Sequence, residues 1–162
     1  MTMIENIRIE ELPAEQAAVV HGRCLPEEIG DFVGAAFGEV LAVLGEQGLT
    51  PTGPPLCRYS TGEGGMDQDG AAVVFTLAAG FPSSGPVEPA GRVEPMTLPA
   101  GSAVTLMHVG AYTGLGEAYA AAARWMDEQG LEGDGDPWET YLDEPDVPAP
   151  RTRLSFPCRE RS

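Results

Sequence analysis

Apolar residues recur at steps of three and four along Ile29, Phe32, Val33, Ala36, Phe37, Val40, Leu41 and Leu44. That period lays one apolar stripe along a helix. Pro26 suits the first turn, where a missing N–H costs nothing. Gly48 ends the helix, because glycine enters the left-handed conformation without a Cβ penalty. A second stripe of Leu115, Ala118, Tyr119, Ala122, Trp125 and Met126 predicts a second helix, with Thr113 as its N-cap and Gly130 as its stop. Between the helices the pattern is that of strands, predicted over 17–24, 56–60, 71–79, 102–109, 138–142 and 153–156. Residues 4–12 and 93–98 read as additional edge strands. Thr61 to Gly70 is a polar, Gly-rich hairpin connection, and the Pro/Gly/Ser-rich run 81–91 is a linker.

The same order of elements occurs twice. A shift of 82 positions lays Glu46-Gln47-Gly48-Leu49 on Glu128-Gln129-Gly130-Leu131. It also pairs Gly34 with Gly116, Gly53 with Gly135, Pro55 with Pro137 and Tyr59 with Tyr141. Several coincidences at one shift point to a duplication. The predicted fold is therefore α+β: one domain over 1–162, built from pseudo-repeats 4–80 and 92–158 joined by the linker 81–91. Each repeat is a strand–helix–strand–strand unit. Together they form an antiparallel sheet with two helices on one face and a ligand groove on the other.

Strand alternation concentrates the candidate chemistry around Gly135-Asp136-Pro137-Trp138-Glu139-Thr140-Tyr141-Leu142. Glu139 and Tyr141 share one face; Trp138, Thr140 and Leu142 share the other. Trp138 and Leu142 read as the helix-facing core side, which points Glu139 and Tyr141 into the groove. Their equivalents in the first repeat are Cys57 and Tyr59, so the repeats supply two tyrosines but one acid. An ordinary surface carboxylate is the plain alternative. A carboxylate among aromatic rings, however, suits a flat lipophilic cation, which gains Coulomb attraction and about 0.5–2 kcal/mol per cation–π contact. Tyr112, overhanging the strand end after Gly110, joins Tyr59 and Tyr141 as a candidate ring. Trp125 and Tyr119 are candidates too, although their helix stripe also suits core packing. His108 is either an acid–base group or a histidine satisfied by hydrogen bonds.

Composition narrows the function classes. The 162 residues suffice for one core, burying roughly two thirds of the unfolded surface. The net charge of −16, from 25 acidic and 9 basic residues, opposes direct nucleic-acid binding. Neither a basic amphipathic stretch nor an apolar run long enough for a membrane span is present. Cys24, Cys57 and Cys158, widely spaced and odd in number, fit a reducing compartment, and the N-terminus lacks a signal-peptide pattern, so a cytoplasmic location is expected. Two histidines and no paired cysteines predict no metal site, and no cofactor is expected. Gly-Glu-Gly-Gly at 62–65 lacks the Lys-Ser/Thr of a phosphate loop, and no nucleophile elbow occurs. Cys57 has no basic neighbour in sequence and reads as a packing residue rather than a nucleophile.

Three stretches together carry a family resemblance: His108-Val-Gly-Ala-Tyr112-Thr-Gly-Leu, Ala123-Arg-Trp125-Met-Asp-Glu-Gln-Gly130-Leu, and Asp136-Pro-Trp-Glu139-Thr-Tyr141-Leu-Asp143-Glu-Pro145. They resemble the GyrI-like small-molecule-binding domain, which also serves as the effector-binding part of AraC-type and MerR-type multidrug regulators. The resemblance is specific over 102–157 and rests on the repeat pattern in the first half. It implies a duplicated fold with a central cleft, where an acid matching Glu139 meets the charge of lipophilic drugs and a Gly-x-Tyr motif matches Gly110 and Tyr112. The DNA-binding helices of the regulators are missing, so a stand-alone sensor, sink or enzyme is expected. The leading expectation is a binder of aromatic or cationic small molecules using Glu139, Tyr112, Tyr141, Tyr59, Trp125, Cys57 and His108. Relatives that hydrolyse cyclopropane-bearing DNA-alkylating toxins imply a second option, with Glu139 activating water and Tyr112 assisting. A gyrase-directed relative implies a third, with gyrase or a second copy of the chain as partner.

Overall fold

A computed structural model describes residues 3–60, 65–66, 73–144 and 146–161. In chain order the elements are β1 (Met3–Leu12), β2 (Glu15–Cys24), α1 (Ile29–Glu46), β3 (Leu56–Tyr59), β4 (Gly65–Met66), β5 (Val73–Pro82), β6 (Val93–Leu98), β7 (Gly101–Val109), α2 (Leu115–Glu128), β8 (Leu131–Gly133), β9 (Trp138–Tyr141) and β10 (Arg151–Glu160). They make an α+β fold with antiparallel strands, divided into two compact units: 14–99, and 1–13 with 100–162. The run 81–91, expected to join the halves, belongs to the first of these. Gln47, just past α1, donates to the Glu88 carbonyl at 2.9 Å and accepts from the Glu88 N–H at 2.8 Å, while Val87 is buried. Most of the connection expected over 61–70, including the run 62–64, lies outside the described residues, as does Pro145; within it, Gly65 and Met66 form β4 against β5.

In the unit 14–99 the strand order is β3–β5–β2–β6, with β4 also on β5. Ala17, Ala18, Val19 and Val20 are all buried because β2 is central, flanked by β5 and β6. The buried positions of α1 are Ala36, Val40 and Leu44, three members of the predicted stripe; Leu41, also predicted, is instead exposed. Phe37 meets Phe81 edge to face at 5.5 Å. In the other unit the order is β1–β7–β10–β9, with β8 on the far end of β10. The α2 residues Ala118 and Ala122 pack with Leu106 of β7 and Leu154 of β10. A register break between Glu5 and Arg8, where Asn6 takes φ 58°, inserts one residue into β1. The bulge lets both Ile4 and Ile7 pack against this cluster, and asparagine is among the few side chains that tolerate that backbone conformation.

The duplication is visible element by element. Both α-helices end at the paired glutamates Glu46 and Glu128, and the left-handed glycines that follow, Gly48 and Gly130, have φ of 72° and 73°. β3 and β9 occupy the shifted positions residue for residue. The shift ends there: Leu56 pairs with Gly80, but its counterpart Trp138 pairs with Ser155 rather than with the residue 82 positions beyond Gly80. The predicted edge strands exist, but each pairs within the other repeat's unit: 4–12 lies in β1 on β7, and 93–98 forms β6 on β2. Thr113 is not an N-cap. It sits inside a 3-10 turn, Tyr112–Gly114, and neither that turn nor α2 has a side-chain cap.

Gly80 makes the closest backbone approach in the unit 14–99. It lies opposite Val19 and Leu56, and a Cβ there would stand 1.9 Å from the Ala18 carbonyl oxygen. Backbone cannot yield as a side chain does, so Gly80→Ala is expected to destabilise the protein by about 1–3 kcal/mol or more. A urea unfolding midpoint equal to that of the parent protein would refute this.

Candidate functional site

The register of three strands builds the site. Glu139 pairs with Leu154, which pairs with Leu106; Tyr141 pairs with Thr152, which pairs with His108. Cross-strand partners share a face, and Leu106 and Leu154 lie under α2. Glu139, Tyr141, Thr152 and His108 are therefore on the helix-covered face. The expectation that Glu139 and Tyr141 share a face holds, but that face is the one α2 packs on, not the one away from it. Trp138, buried as well, occupies the opposite face.

The consequence for Glu139 is a bond to the helix. Tyr119 of α2 donates its hydroxyl to Glu139 Oε2 at 2.6 Å, and Tyr141 donates to Oε1 at 2.6 Å. Only 5% of Glu139 is exposed, and no basic side chain pairs with it among the described residues. Burial is the dominant influence and raises its pKa; the two hydroxyls oppose the rise without cancelling it. The rings continue on both sides. Tyr119 meets Phe156 edge to face at 5.3 Å, and Tyr141 meets Tyr112 at 5.8 Å with planes inclined by 56°. Tyr112 is exposed and marks the outer end of the array. Its pKa is raised first by desolvation and then by the negative charges of Glu139, Asp143 and Glu144. Asp143 is held by Arg151, whose Nε and Nη2 donate to it at 2.9 and 3.1 Å, and this pairing lowers the Asp143 pKa.

Of the predicted site residues, Glu139, Tyr141 and Tyr112 come together, joined by Tyr119. Sequence reasoning weighed Tyr119 as a ring or a core residue; its hydroxyl bond to Glu139 required knowing which sheet face α2 covers. His108 is fully buried in the same face, and among the described residues neither ring nitrogen has a hydrogen-bond partner, where the sequence offered a satisfied histidine as one reading. Desolvation lowers its pKa, partly offset by the Glu117 charge. Trp125 packs against the cluster of Val104, Met126, Leu131 and Cys158. Cys57 and Tyr59 lie on β3 in the unit 14–99, where Cys57 is fully buried and Tyr59 meets Phe75 edge to face at 6.0 Å. Among the described residues no group of three His, Cys, Asp or Glu side chains could hold a metal ion, and no helix is long and apolar enough to cross a membrane.

A two-layer unit with a buried acid ringed by aromatic side chains defines a small-molecule-binding domain. The chain belongs to the GyrI-like family, described as the GyrI-like small molecule binding domain, which matches residues 5–158. The C-terminal domain of EcmrR is similar in structure, with TM-score 0.70 and 21% identity over 98% of this chain and 99% of that one. EcmrR in its DNA complex gives TM-score 0.75 and 20% identity, and this chain covers 58% of its length against 98% of its own. A hydrolase from Listeria innocua gives TM-score 0.64 and 19% identity over 96% of this chain and 92% of that one. SAV2435, solved bound to tetraphenylphosphonium, gives TM-score 0.62 and 11% identity over 95% and 94%. No curated protein matches the chain.

The raised pKa of Glu139 fixes the sign of a stability effect. A carboxyl whose folded pKa exceeds its unfolded value stabilises the fold most when protonated, and that contribution fades as pH rises from the ordinary carboxylate range through the folded pKa. Glu139→Gln is therefore expected to raise the melting temperature at neutral pH and to flatten its decline with pH. Parallel melting profiles for the two proteins from pH 4 to 8 would contradict the raised pKa.

Proposed function

We propose that this protein binds lipophilic aromatic cations, with Glu139 as counter-charge and Tyr112, Tyr119 and Tyr141 as the ring surfaces. The observation that carries the reading is a buried carboxyl that, among the described residues, is bonded by two neutral hydroxyls and by no basic group. Burying an ionised carboxyl without an opposite charge is costly, so the site holds either a proton or a cation. A cation brought to Glu139 interacts in a low-dielectric setting where each charge–charge contact is strengthened. The ring faces add shape-tolerant attraction, which suits ligands of differing outline. The ligand in the SAV2435 structure, tetraphenylphosphonium, has this chemistry and is a suitable probe.

A second reading is hydrolysis of a strained, electrophilic ring such as a cyclopropanoid alkylating agent. It draws on the same raised pKa, which makes Glu139 a better general base once ionised, and on the likeness to the L. innocua hydrolase. Glu139 takes a proton from water while Tyr112 donates a hydrogen bond to the atom that gains charge. Released ring-opened product exceeding the protein in amount supports this reading; protection that stops at one equivalent supports the binder.

Two measurements test the leading reading. In calorimetric titration with tetraphenylphosphonium, Glu139→Gln should weaken binding by on the order of 1–3 kcal/mol, about ten- to a hundredfold. Affinity unchanged within error rejects the counter-charge role. For the parent protein, affinity should climb as pH rises through the elevated pKa of Glu139. Repeating the titration in buffers of different ionisation enthalpy should register a proton released on binding below that pKa. Binding that releases no proton at any pH would show that the cation lies elsewhere.

A further inference from the structure

The row beside Glu139 contains polar atoms that no described residue satisfies. His108 and Thr152 are each 0% exposed, and among the described residues His108 Nδ1, His108 Nε2 and Thr152 Oγ1 have no hydrogen-bond partner. They are cross-strand neighbours, and Thr152 is in turn the neighbour of Tyr141, so the three form one line across β7, β10 and β9. Unpaired buried polar atoms are uncommon in folded proteins, and each carries an uncompensated cost of desolvation. A valine in place of Thr152, or an apolar ring in place of His108, would fill the same space without that cost. Two such residues side by side, adjoining the carboxyl and rings of the proposed site, point to a partner from outside the chain.

We infer that His108 and Thr152 form a hydrogen-bonding subsite for an uncharged polar group of the bound molecule, distinct from the counter-charge at Glu139. The inference rests on the proposed cation site, which it extends into a preference among cations. Thr152 is the diagonal cross-strand neighbour of Glu139, a separation of about 7–8 Å in an antiparallel pair. The ligand class is thus a lipophilic cation bearing an ester, amide, amine or hydroxyl group at about that distance from its charge. A hydroxyl and a neutral imidazole can each donate or accept, so the subsite takes either kind of group. Selectivity follows, because a ligand without such a group leaves the polar atoms unpaired.

Approach to the row passes the stretch leading into α2. The Glu117 charge acts on His108, and Leu115 packs on the Leu106–Leu154 cluster, which places the first turn of α2 next to this line. That turn lacks a side-chain cap, follows an uncapped 3-10 turn, and is flanked by Gly110, Gly114 and Gly116. Segments with few such bonds open at low free energy.

The test compares two monovalent cations: rhodamine 6G, which carries ester and amine groups, and tetraphenylphosphonium, which has no hydrogen-bonding atom. Both are titrated against the parent protein, Thr152→Val, Thr152→Ser and His108→Leu, with Glu139→Gln as the charge control. Thr152→Val should weaken rhodamine 6G about tenfold and leave tetraphenylphosphonium within twofold, while raising the melting temperature of the unliganded protein. Thr152→Ser should retain the parent's ligand ratio. His108→Leu should act in the same direction as Thr152→Val, and Thr152→Val decides alone if His108→Leu does not fold. Equal changes for both cations, or none for either, overturn the subsite. If Glu139→Gln weakens both cations while Thr152→Val alters neither, the subsite alone fails. Failure of the parent protein to bind either cation defeats both readings together.

Discussion

The carboxyl of Glu139, buried and held by the hydroxyls of Tyr119 and Tyr141, is the constraint around which its unit is arranged. One hydroxyl comes from the sheet and the other from the helix, so the bond pair ties α2 to β9 through a polar link beside the apolar contacts of Leu106 and Leu154. The small side chains of Ala118 and Ala122 allow the helix close enough for the Tyr119 hydroxyl to reach. Phe156 supports the Tyr119 ring from the side, which fixes where its hydroxyl points. An acid placed this way is comfortable only when neutral or when an opposite charge arrives.

Duplication explains why such a position exists and why there is one charge. The two repeats put Cys57 and Glu139 at equivalent points of equivalent strands, each followed two residues later by a tyrosine. Cys57, fully buried, fills its position as a small apolar group would. Glu139 turns the same position into an electrostatic one. The surrounding chain is strongly acidic, and negative charges at Asp143 and Glu144 bear on Tyr112 at the outer end of the ring array. That field favours cations at the surface.

How much was legible in the sequence depends on the kind of statement. Both helices, their glycine stops, the longer strands and the repeat offset follow from local rules: a period of 3.6, a period of 2, and the freedom of glycine at positive φ; the short β4 and β8 carry too few residues to show a period and were not predicted. Glu139 and Tyr141 could be placed on one face by alternation alone. Thr113 was misplaced because capping residues also favour turns, and here a 3-10 turn takes the hydroxyl residue in before α2 begins. The partners of the edge strands could not be read, since pairing is decided between segments far apart in the chain.

The sequence by itself determined both helices, the longer strands, their duplication and the acid Glu139 beside Tyr141. Only the tertiary structure decided which face of the sheet α2 covers, and with it the enclosure of Glu139, the role of Tyr119 and the unpaired row of His108 and Thr152. The physical reason is that alternation along a strand is symmetric: it says which side chains point the same way, not which way is inside. Packing the helix breaks that symmetry, and the chemistry of the site follows from the side on which it packs.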